Sequence, residues 1–207
     1  MKLNKLLIIV VAFTMTTKSF AQVKYGVKAG LNFANLSESD NDDSYNEDKT
    51  SKIGFHFGGT AEFPASEALS VQTGLLYSTK GYKINDGDFS TALNLNYLEI
   101  PINAIYKIEV GGSKLCLNAG PYLGYAFSGS LAYGDESYDY KIGSGDEDDI
   151  KALDYGINIG AGVELNDKIT IGLQYGLGLA NISSYTEYGY KSNNRVIGIS
   201  VGYMFGQ

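Results

Sequence analysis

Residues 155–179 read YGINIGAGVELNDKITIGLQYGLGL, and apart from the break NDK at 166–168 almost every second residue is apolar. Because successive side chains point to opposite faces of a strand, this pattern predicts two strands, each with one apolar face and one face of glycine and polar residues. A soluble barrel buries its apolar face, whereas a membrane barrel turns that face toward lipid. The fold therefore depends on which face lies inside.

The same alternation recurs along the rest of the chain and predicts eight strands in all. In each of them one face carries aliphatic and aromatic side chains, and the other carries lysine, glutamate, asparagine and glycine. The predicted strands are 23–36, 52–63, 69–82, 93–107, 114–129, 152–165, 169–182 and 195–205. In the fourth strand the alternation changes phase near Tyr97 and Leu98, and a β-bulge is the simplest explanation.

The apolar face is the outer one on this interpretation, because it is nearly free of charge and rich in tyrosine and phenylalanine. The connections agree with this assignment. Long acidic segments (37–51 and 130–151) alternate with short ones such as 64–68 and 166–168, as in outer-membrane barrels with their short periplasmic turns and long extracellular loops. The sequence therefore predicts an all-β protein of the bacterial outer membrane. Its fold is an eight-stranded antiparallel up-and-down transmembrane β-barrel with periplasmic termini and extracellular loops.

The first 21 residues have the layout of a secretory signal peptide. Lys2 and Lys5 precede a long apolar run, and Ser19 and Ala21 form a small-x-small cleavage site. We expect cleavage between Ala21 and Gln22. The predicted organisation is a signal peptide at 1–21 and a single barrel domain at 22–207.

The composition of the mature chain excludes some classes of function. It would carry 13 basic and 23 acidic residues, a net charge of −10. Such a chain is not a nucleic-acid binder, since phosphate neutralisation needs a basic surface. Cys116 is the single cysteine, so no intramolecular disulfide can form. No motif indicates a cofactor.

The predicted lumen holds a polar network rather than an open pore. Eight strands leave an interior just wide enough for side chains to fill. Opposite charges in so narrow a space are expected to pair, because an unpaired buried charge is costly. The network is predicted to contain Lys28, His56, Glu62, Glu99, Lys107, Asp154 and Glu164. Lys24, Lys52 and Lys80 lie on the same face.

An enzyme or a strong metal site is not expected. His56 is the single histidine and has no nucleophile placed beside it, and one histidine with one cysteine cannot supply four zinc ligands. The acidic loops 37–48 and 135–149 offer oxygen atoms for calcium but lack the EF-hand spacing, so solvated loops are the simpler interpretation. The candidate calcium ligands are Asp40, Asp42, Asp43, Asp146, Asp148 and Asp149. Divalent cations could also bridge these acids to lipopolysaccharide phosphates.

Several segments resemble the bacterial outer-membrane β-barrel family that includes PorT-like and "porin family" proteins. The resemblance is carried by GVKAGLN at 26–32, LEIP at 98–101, AGPYLG at 119–124 and the closing strand ending Tyr203-Met-Phe205. It covers essentially the whole mature chain and implies a membrane barrel. One branch of the family is associated with a system that secretes proteins across the outer membrane.

The resemblance also implies partners. Outer-membrane proteins commonly end in an aromatic residue that the insertion machinery reads, which gives that role to Tyr203 and Phe205, although Gly206 and Gln207 follow them. The implied partners are outer-membrane lipid, lipopolysaccharide and the barrel insertion machinery.

Three functional classes follow from these patterns. The first is a non-enzymatic outer-membrane barrel with a structural, adhesive or envelope-assembly role through its acidic loops, with an extracellular or envelope protein as a further partner. The second is a small channel or binding barrel, which needs a continuous wet lumen. The third is a soluble lipocalin-like carrier with its apolar face turned inward, and folding without detergent would distinguish it from the others.

Overall fold

A computed structural model describes residues 23–40, 49–86, 89–134, 136–143, 145 and 148–205. Eight long strands and three short ones dominate these residues, with one 3₁₀ turn at Glu187–Gly189. The long strands are β1 Lys24–Ser39, β2 Lys49–Pro64, β3 Leu69–Asp86, β4 Phe89–Val110, β5 Ser113–Tyr133, β9 Leu153–Leu165, β10 Ile169–Gly178 and β11 Lys191–Met204. The short strands are β6 Glu136–Tyr140, β7 Ile142–Gly143 and β8 Ile150–Lys151. The predicted signal peptide and the cleavage between Ala21 and Gln22 lie outside the described residues.

The long strands form a closed antiparallel ring, which confirms the predicted eight-stranded up-and-down barrel. Each long strand pairs with the next one, and β11 closes the ring on β1. The paired residues can be followed from strand to strand once around the barrel, starting at Lys24. This path returns to β1 at Ala34, ten residues further along the chain. For a rise of about 3.3 Å and a strand spacing of about 4.8 Å, this stagger tilts the strands by about 40° and gives a backbone radius of about 8 Å.

The apolar face lies outside the barrel and the polar face inside it. On β9 the side chain of Ile159 is 59% exposed, whereas those of Asn158 and Asp154 on the opposite face are almost completely buried in the lumen. The same division holds along the other long strands. A soluble carrier needs an apolar lumen, so the polar lumen overturns that alternative. Among the described residues, no helix is long and apolar enough to cross a membrane.

The two ends of the barrel differ in their connections. At one end, here the turn end, the strands are joined by residues 65–68, 111–112 and 166–168. Asn166 and Asp167 both adopt positive φ angles, 51° and 57°, as a type I′ hairpin turn requires. The opposite end, here the loop end, carries the long connections together with β6, β7 and β8.

The inside of the loop end is apolar, unlike the rest of the lumen. A core there combines side chains from β1, β4 and β5 with side chains from the loops. Its buried members are Leu36, Leu93, Leu95, Tyr97, Ala126, Ile150, Ala180 and Ile182. We refer to this group as the loop-end core.

The loop-end core corrects the interpretation of the phase change near Tyr97 and Leu98. Leu93, Leu95 and Tyr97 point inward just as Glu99 does, so β4 keeps a single alternation. Its inward face changes from polar to apolar because the loop end has a core of its own. The register between β4 and β5 does shift at Asn96 and Tyr97. The extra residue, however, lies on β5, where Phe127 and Ser128 are both exposed.

The strand predicted at 169–182 ends earlier than expected, at Gly178. The backbone N–H groups of Leu179 and Ala180 both donate to the carbonyl oxygen of Tyr155, at 2.8 and 3.1 Å, which ends the ladder. The chain then turns inward, and Ile182 is completely buried in the loop-end core. Burial in this core therefore replaces the last predicted residues of the strand.

Inward glycines allow the strands of this narrow barrel to pack closely. A comparison of the inward Gly30 with the exposed Gly59 tests this. A Cβ atom at Gly30 would lie 2.1 Å from the carbonyl oxygen of Ile199 and 2.7 Å from Cε1 of His56, whereas one at Gly59 would meet nothing within 4 Å. We expect Gly30→Ala to lower the free energy of unfolding by about 1–3 kcal/mol through overpacking. Gly59→Ala should change it by less than about 0.5 kcal/mol. Urea unfolding in detergent micelles measures both variants, and equal midpoints would contradict the prediction.

Candidate functional site

A cluster of charges lies in the turn-end half of the lumen. The ammonium group of Lys107 lies 2.6 Å from a carboxylate oxygen of Glu62 and 2.6 Å from one of Glu164. Inward positions on β4, β2 and β9 bring these three residues together. Lys114 lies 3.8 Å from Glu164 and also pairs with Asp167 in the turn. Its hydrogen bond holds the pKa of the Asp167 carboxyl below its usual value.

A second charged cluster lies in the lumen next to the loop-end core, on its turn-end side. Lys80 Nζ lies 2.8 Å from Glu99 Oε2 and 3.1 Å from Asp154 Oδ2. The same oxygen of Asp154 accepts hydrogen bonds from Tyr122, at 3.2 Å, and from Asn194 Nδ2, at 2.9 Å. Both carboxylates and the lysine are deeply buried. In this cluster one ammonium group is therefore shared by two carboxylates.

Aromatic rings and one amide complete this second cluster. Lys80 Nζ lies 4.9 Å from the ring centre of Tyr97 and 4.4 Å from that of Tyr122, within the range of cation–π attraction. Asn194 Nδ2 also contacts the Tyr97 hydroxyl at 3.2 Å. Asn194 was not among the residues predicted to line the lumen, because it fell in a predicted loop. Extending the alternation of the last strand upstream, through Val196 to 194, would have placed it inside.

His56 and the polar side chains around it occupy the middle of the lumen. His56 Nδ1 lies 2.8 Å from Asn32 Oδ1. Asn32 Nδ2 donates to Ser78 Oγ and to the carbonyl oxygen of Thr79, both at 3.1 Å, so Nδ1 of the histidine carries the proton. Ser78 contacts Asn32 rather than the imidazole. The arrangement orients His56 but does not activate a hydroxyl.

The structure places all seven residues of the predicted network in the lumen but does not pair all of them. Lys107, Glu62, Glu164, Glu99 and Asp154 take part in ion pairs. Lys28 and His56 form no ion pair with another described residue. Lys28 Nζ makes a long contact of 3.4 Å with Gln174 Oε1.

Three small cavities follow one another from the turn end toward the loop end. A cavity of ≈ 80 Å³ at the mouth shares Glu62 and Lys107 with a second one of ≈ 60 Å³. The second shares Lys28, Gln174 and Ser200 with a third one of ≈ 40 Å³, which ends at the Lys80 cluster. These volumes suit water molecules. Beyond the third cavity lies the loop-end core.

The predicted calcium ligands are only partly described. Asp148 accepts a hydrogen bond from the backbone N–H of Gly145 at 2.6 Å, and Asp149 accepts one from that of Lys141 at 2.9 Å. Both carboxylates therefore stabilise the backbone of their own loop. Asp40 is among the described residues, whereas Asp42, Asp43 and Asp146 lie outside them. Within the described part of the chain, no group of three or more histidine, cysteine or acidic residues is placed to hold a metal.

The aromatic residues of the closing strand lie on the outer face at the turn end. Tyr203 and Phe205 are exposed, with their ring centres 5.4 Å apart in an edge-on arrangement. The backbone N–H of Phe205 donates to the carbonyl oxygen of Tyr25 at 2.6 Å, so the chain remains paired up to this residue. Their role as an insertion signal remains a prediction.

A second group of aromatic side chains marks the other edge of the apolar outer band. Phe55, Phe57, Tyr77 and Phe127 contact one another, with ring centres 5.3–6.2 Å apart. The Tyr77 hydroxyl donates to Asn96 Oδ1 at 2.8 Å, where the outer face turns polar. Aromatic residues with one polar end are typical of the membrane–water interface.

Comparison with solved structures finds barrels of the outer membrane. Ail, the attachment invasion locus protein of Yersinia pestis, is 12% identical, with 89% of this chain and 99% of that chain covered and a TM-score of 0.43. Neisserial surface protein A is 17% identical, with coverages of 88% and 97% and a TM-score of 0.48. OprG from Pseudomonas aeruginosa is 11% identical, with coverages of 89% and 96% and a TM-score of 0.46. No curated protein matches the sequence significantly.

The family assignment rests on the sequence itself. The model of the "Outer membrane protein beta-barrel domain" family matches residues 19–184, which is most of the chain. The closed ring with an apolar outer band and a polar lumen is the architecture that such a domain requires. The chain therefore belongs to the outer membrane protein β-barrel domain family.

Proposed function

We propose that this protein is a non-enzymatic barrel that acts through its loop end, held outside the cell, in an adhesive, structural or envelope-assembly role. The observation that carries this proposal is the loop-end core. A core that fills the end of the barrel makes that end a solid platform rather than the mouth of a pore. The partner we expect is an extracellular or envelope protein.

Two of the described connections at the loop end are folded onto this platform. Ile150 on β8 and Ile182 in the segment after β10 are buried in the loop-end core. The backbone N–H of Lys151 donates to the carbonyl oxygen of Ile182 at 2.8 Å, and that of Ala126 donates to the carbonyl oxygen of Ala152 at 2.7 Å. A fixed loop surface can bind a partner without a large ordering cost, which supports a recognition role.

A channel is the second candidate, because the three cavities in the turn-end half have room for water. The loop-end core interrupts this path with apolar side chains. Conductance of the purified protein in planar bilayers separates the two functions. We expect no steady open state, and a stable ion current under the same conditions would favour the channel.

Epitope insertions test the orientation on which the proposal depends. One tag is inserted after Gly134, at the tip of the β5–β6 hairpin, and the other after Gly111, in a turn. Antibody should label the first tag on intact cells and the second tag only after the outer membrane is permeabilised. The opposite pattern would show that the turn end, and not the loop end, faces outward.

N-terminal sequencing of the membrane-inserted protein tests the removal of residues 1–21. We expect the mature protein to begin at Gln22.

A loop exchange tests the role itself. The segment 135–149 is replaced by a neutral Gly/Ser segment of equal length, with a Gly/Ser replacement of 65–68 at the turn end as the control. Cell attachment and sensitivity to detergent are then compared at equal amounts of folded barrel. We expect the loop variant alone to lose attachment or envelope resistance. If neither property depended on the loop, the proposed role would be wrong.

A further inference from the structure

The short strand β6 has an open edge at the loop end. It is the last strand in the hydrogen-bonded order of the main sheet, and it pairs with β5 alone. On the side that β6 turns away from β5, the described part of the chain supplies no partner strand. An edge of this kind presents backbone N–H and C=O groups with which a further strand can pair.

The register of the β5–β6 hairpin decides which backbone groups lie on this edge. Two residues separate Tyr133 from Glu136, and the first of them, Gly134, has a φ of 58°, as a two-residue hairpin turn requires. The residues that flank such a turn form a hydrogen-bonded pair, and every second pair along the hairpin does the same. Ser137 and Asp139 belong to the alternate pairs, so their N–H and C=O groups point away from β5. Both residues are exposed, and no other described residue bonds to these groups.

The chain closes the same edge two residues further on. The backbone N–H of Lys141 donates to Asp149 Oδ2 at 2.9 Å, and the Lys141 carbonyl oxygen accepts from the backbone N–H of Asp149, also at 2.9 Å. Lys141 follows Ser137 and Asp139 in the alternation, so its backbone groups point to the same side. The open edge is therefore short, and an added strand of about five residues covers it.

The charge around this edge restricts the partner. The segment 135–149 carries seven acidic residues and one lysine, and Glu136 and Asp139 are exposed on β6 itself. A second copy of the chain would bring the same acidic segment to the edge, and like charges that face each other across a strand pair are destabilising. A basic segment brings complementary charge instead.

We propose that the outer edge of β6 binds an extended lysine- or arginine-rich segment of a partner protein as an added strand. The backbone groups of Ser137 and Asp139 supply the hydrogen bonds, and the carboxylates on and beside the strand select a basic sequence. Tyr138 is 54% exposed on the same strand and offers a ring to a side chain of the added strand. This inference rests on the proposed function, because it names the chemistry of the partner that the loop end recognises.

Peptide binding to the folded mature protein in uncharged detergent micelles tests the edge. The probe is a fluorescent peptide in which lysine alternates with threonine, made in three forms. One is unmodified, one carries a pair of N-methyl groups on one edge of the extended peptide, and one carries a methyl group on each edge. The first two forms keep an edge free and should bind equally. The third should bind about tenfold more weakly, because it loses backbone hydrogen bonds while its charge is unchanged.

Ser137→Pro and its matched control Ser137→Ala locate the binding edge on the protein. The N–H of Ser137 points away from β5, so proline removes a donor from the open edge without removing a bond of the hairpin. We expect Ser137→Pro to weaken binding of the unmodified peptide about tenfold and Ser137→Ala to leave it unchanged. Equal binding of the three peptides to the unsubstituted protein, which depends on no variant, would overturn the proposal. Equal binding by the two variants would do the same.

These measurements separate the edge from the role of the loops. If replacing 135–149 abolishes cell attachment but the three peptides bind equally, the proposed function stands and the strand pairing is rejected. If the peptides and variants differ as expected but the replacement changes neither attachment nor envelope resistance, the open edge stands and the proposed function is rejected.

Discussion

Replacing Lys80 by methionine is expected to lower the free energy of unfolding by about 3–5 kcal/mol, the usual cost of removing one partner from a buried ion pair. The variant keeps most of the side-chain volume but removes the cation that the carboxylates of Glu99 and Asp154 share. Asp154 is completely buried, so water can compensate little of the lost charge. Tyr122 and Asn194 still donate to Asp154, but two neutral donors do not replace an ammonium group. The measurement is the urea midpoint in detergent micelles, read from heat-modifiable mobility.

A neutral version of the same cluster provides the control. In the triple variant Lys80→Met, Glu99→Gln, Asp154→Asn the shapes are nearly kept and every charge is gone. Replacing a buried ion network by neutral groups of similar volume is often tolerated, so most of the lost stability should return. If the triple variant were no more stable than the single one, the loss would come from packing around Lys80 rather than from uncompensated charge.

The fold was predictable because a single physical pattern determines most of it. Alternation along 155–179 defines two faces, and the absence of charge on the apolar face shows that it meets lipid. This reasoning fails where the surroundings change from lipid to water. Leu93 and Leu95 are apolar residues that point inward, because beyond the lipid the barrel end needs an apolar core like that of a soluble protein. Ile182 leaves the strand pattern for the same reason.

The sequence predicts which residues line the polar lumen, but it does not predict which of their charged side chains pair with one another. The alternation of side chains along each strand places Lys28, Lys80 and Lys107 inside the barrel. It does not give the stagger between strands, which decides which carboxylate each lysine meets. That stagger brings Lys107 from β4 between β2 and β9, and leaves Lys28 beside Gln174. The sequence carries no local signal for this difference.

The second large effect is expected for Ile159→Arg, which should prevent stable insertion into the membrane. Ile159 lies midway along β9 on the outer face, and an arginine that faces lipid near the bilayer midplane costs a barrel about 2–4 kcal/mol. The barrel side chains next to it on the outer face are apolar, so no carboxylate is available to pair with the guanidinium. The measurement is the yield of the heat-modifiable band after folding into lipid vesicles, together with its urea midpoint.

The control variant introduces the same charge inside the barrel. Asn158 is unsuitable because it is completely enclosed. Gln72 is half-buried, lines the ≈ 60 Å³ cavity and lies opposite Glu62 in the ladder, so an arginine at this position has both room and an opposite charge. Gln72→Arg should therefore insert nearly as well as the unsubstituted protein. If Gln72→Arg failed and Ile159→Arg inserted, lipid would face the polar side of the strands, and the assignment of inside and outside would be reversed.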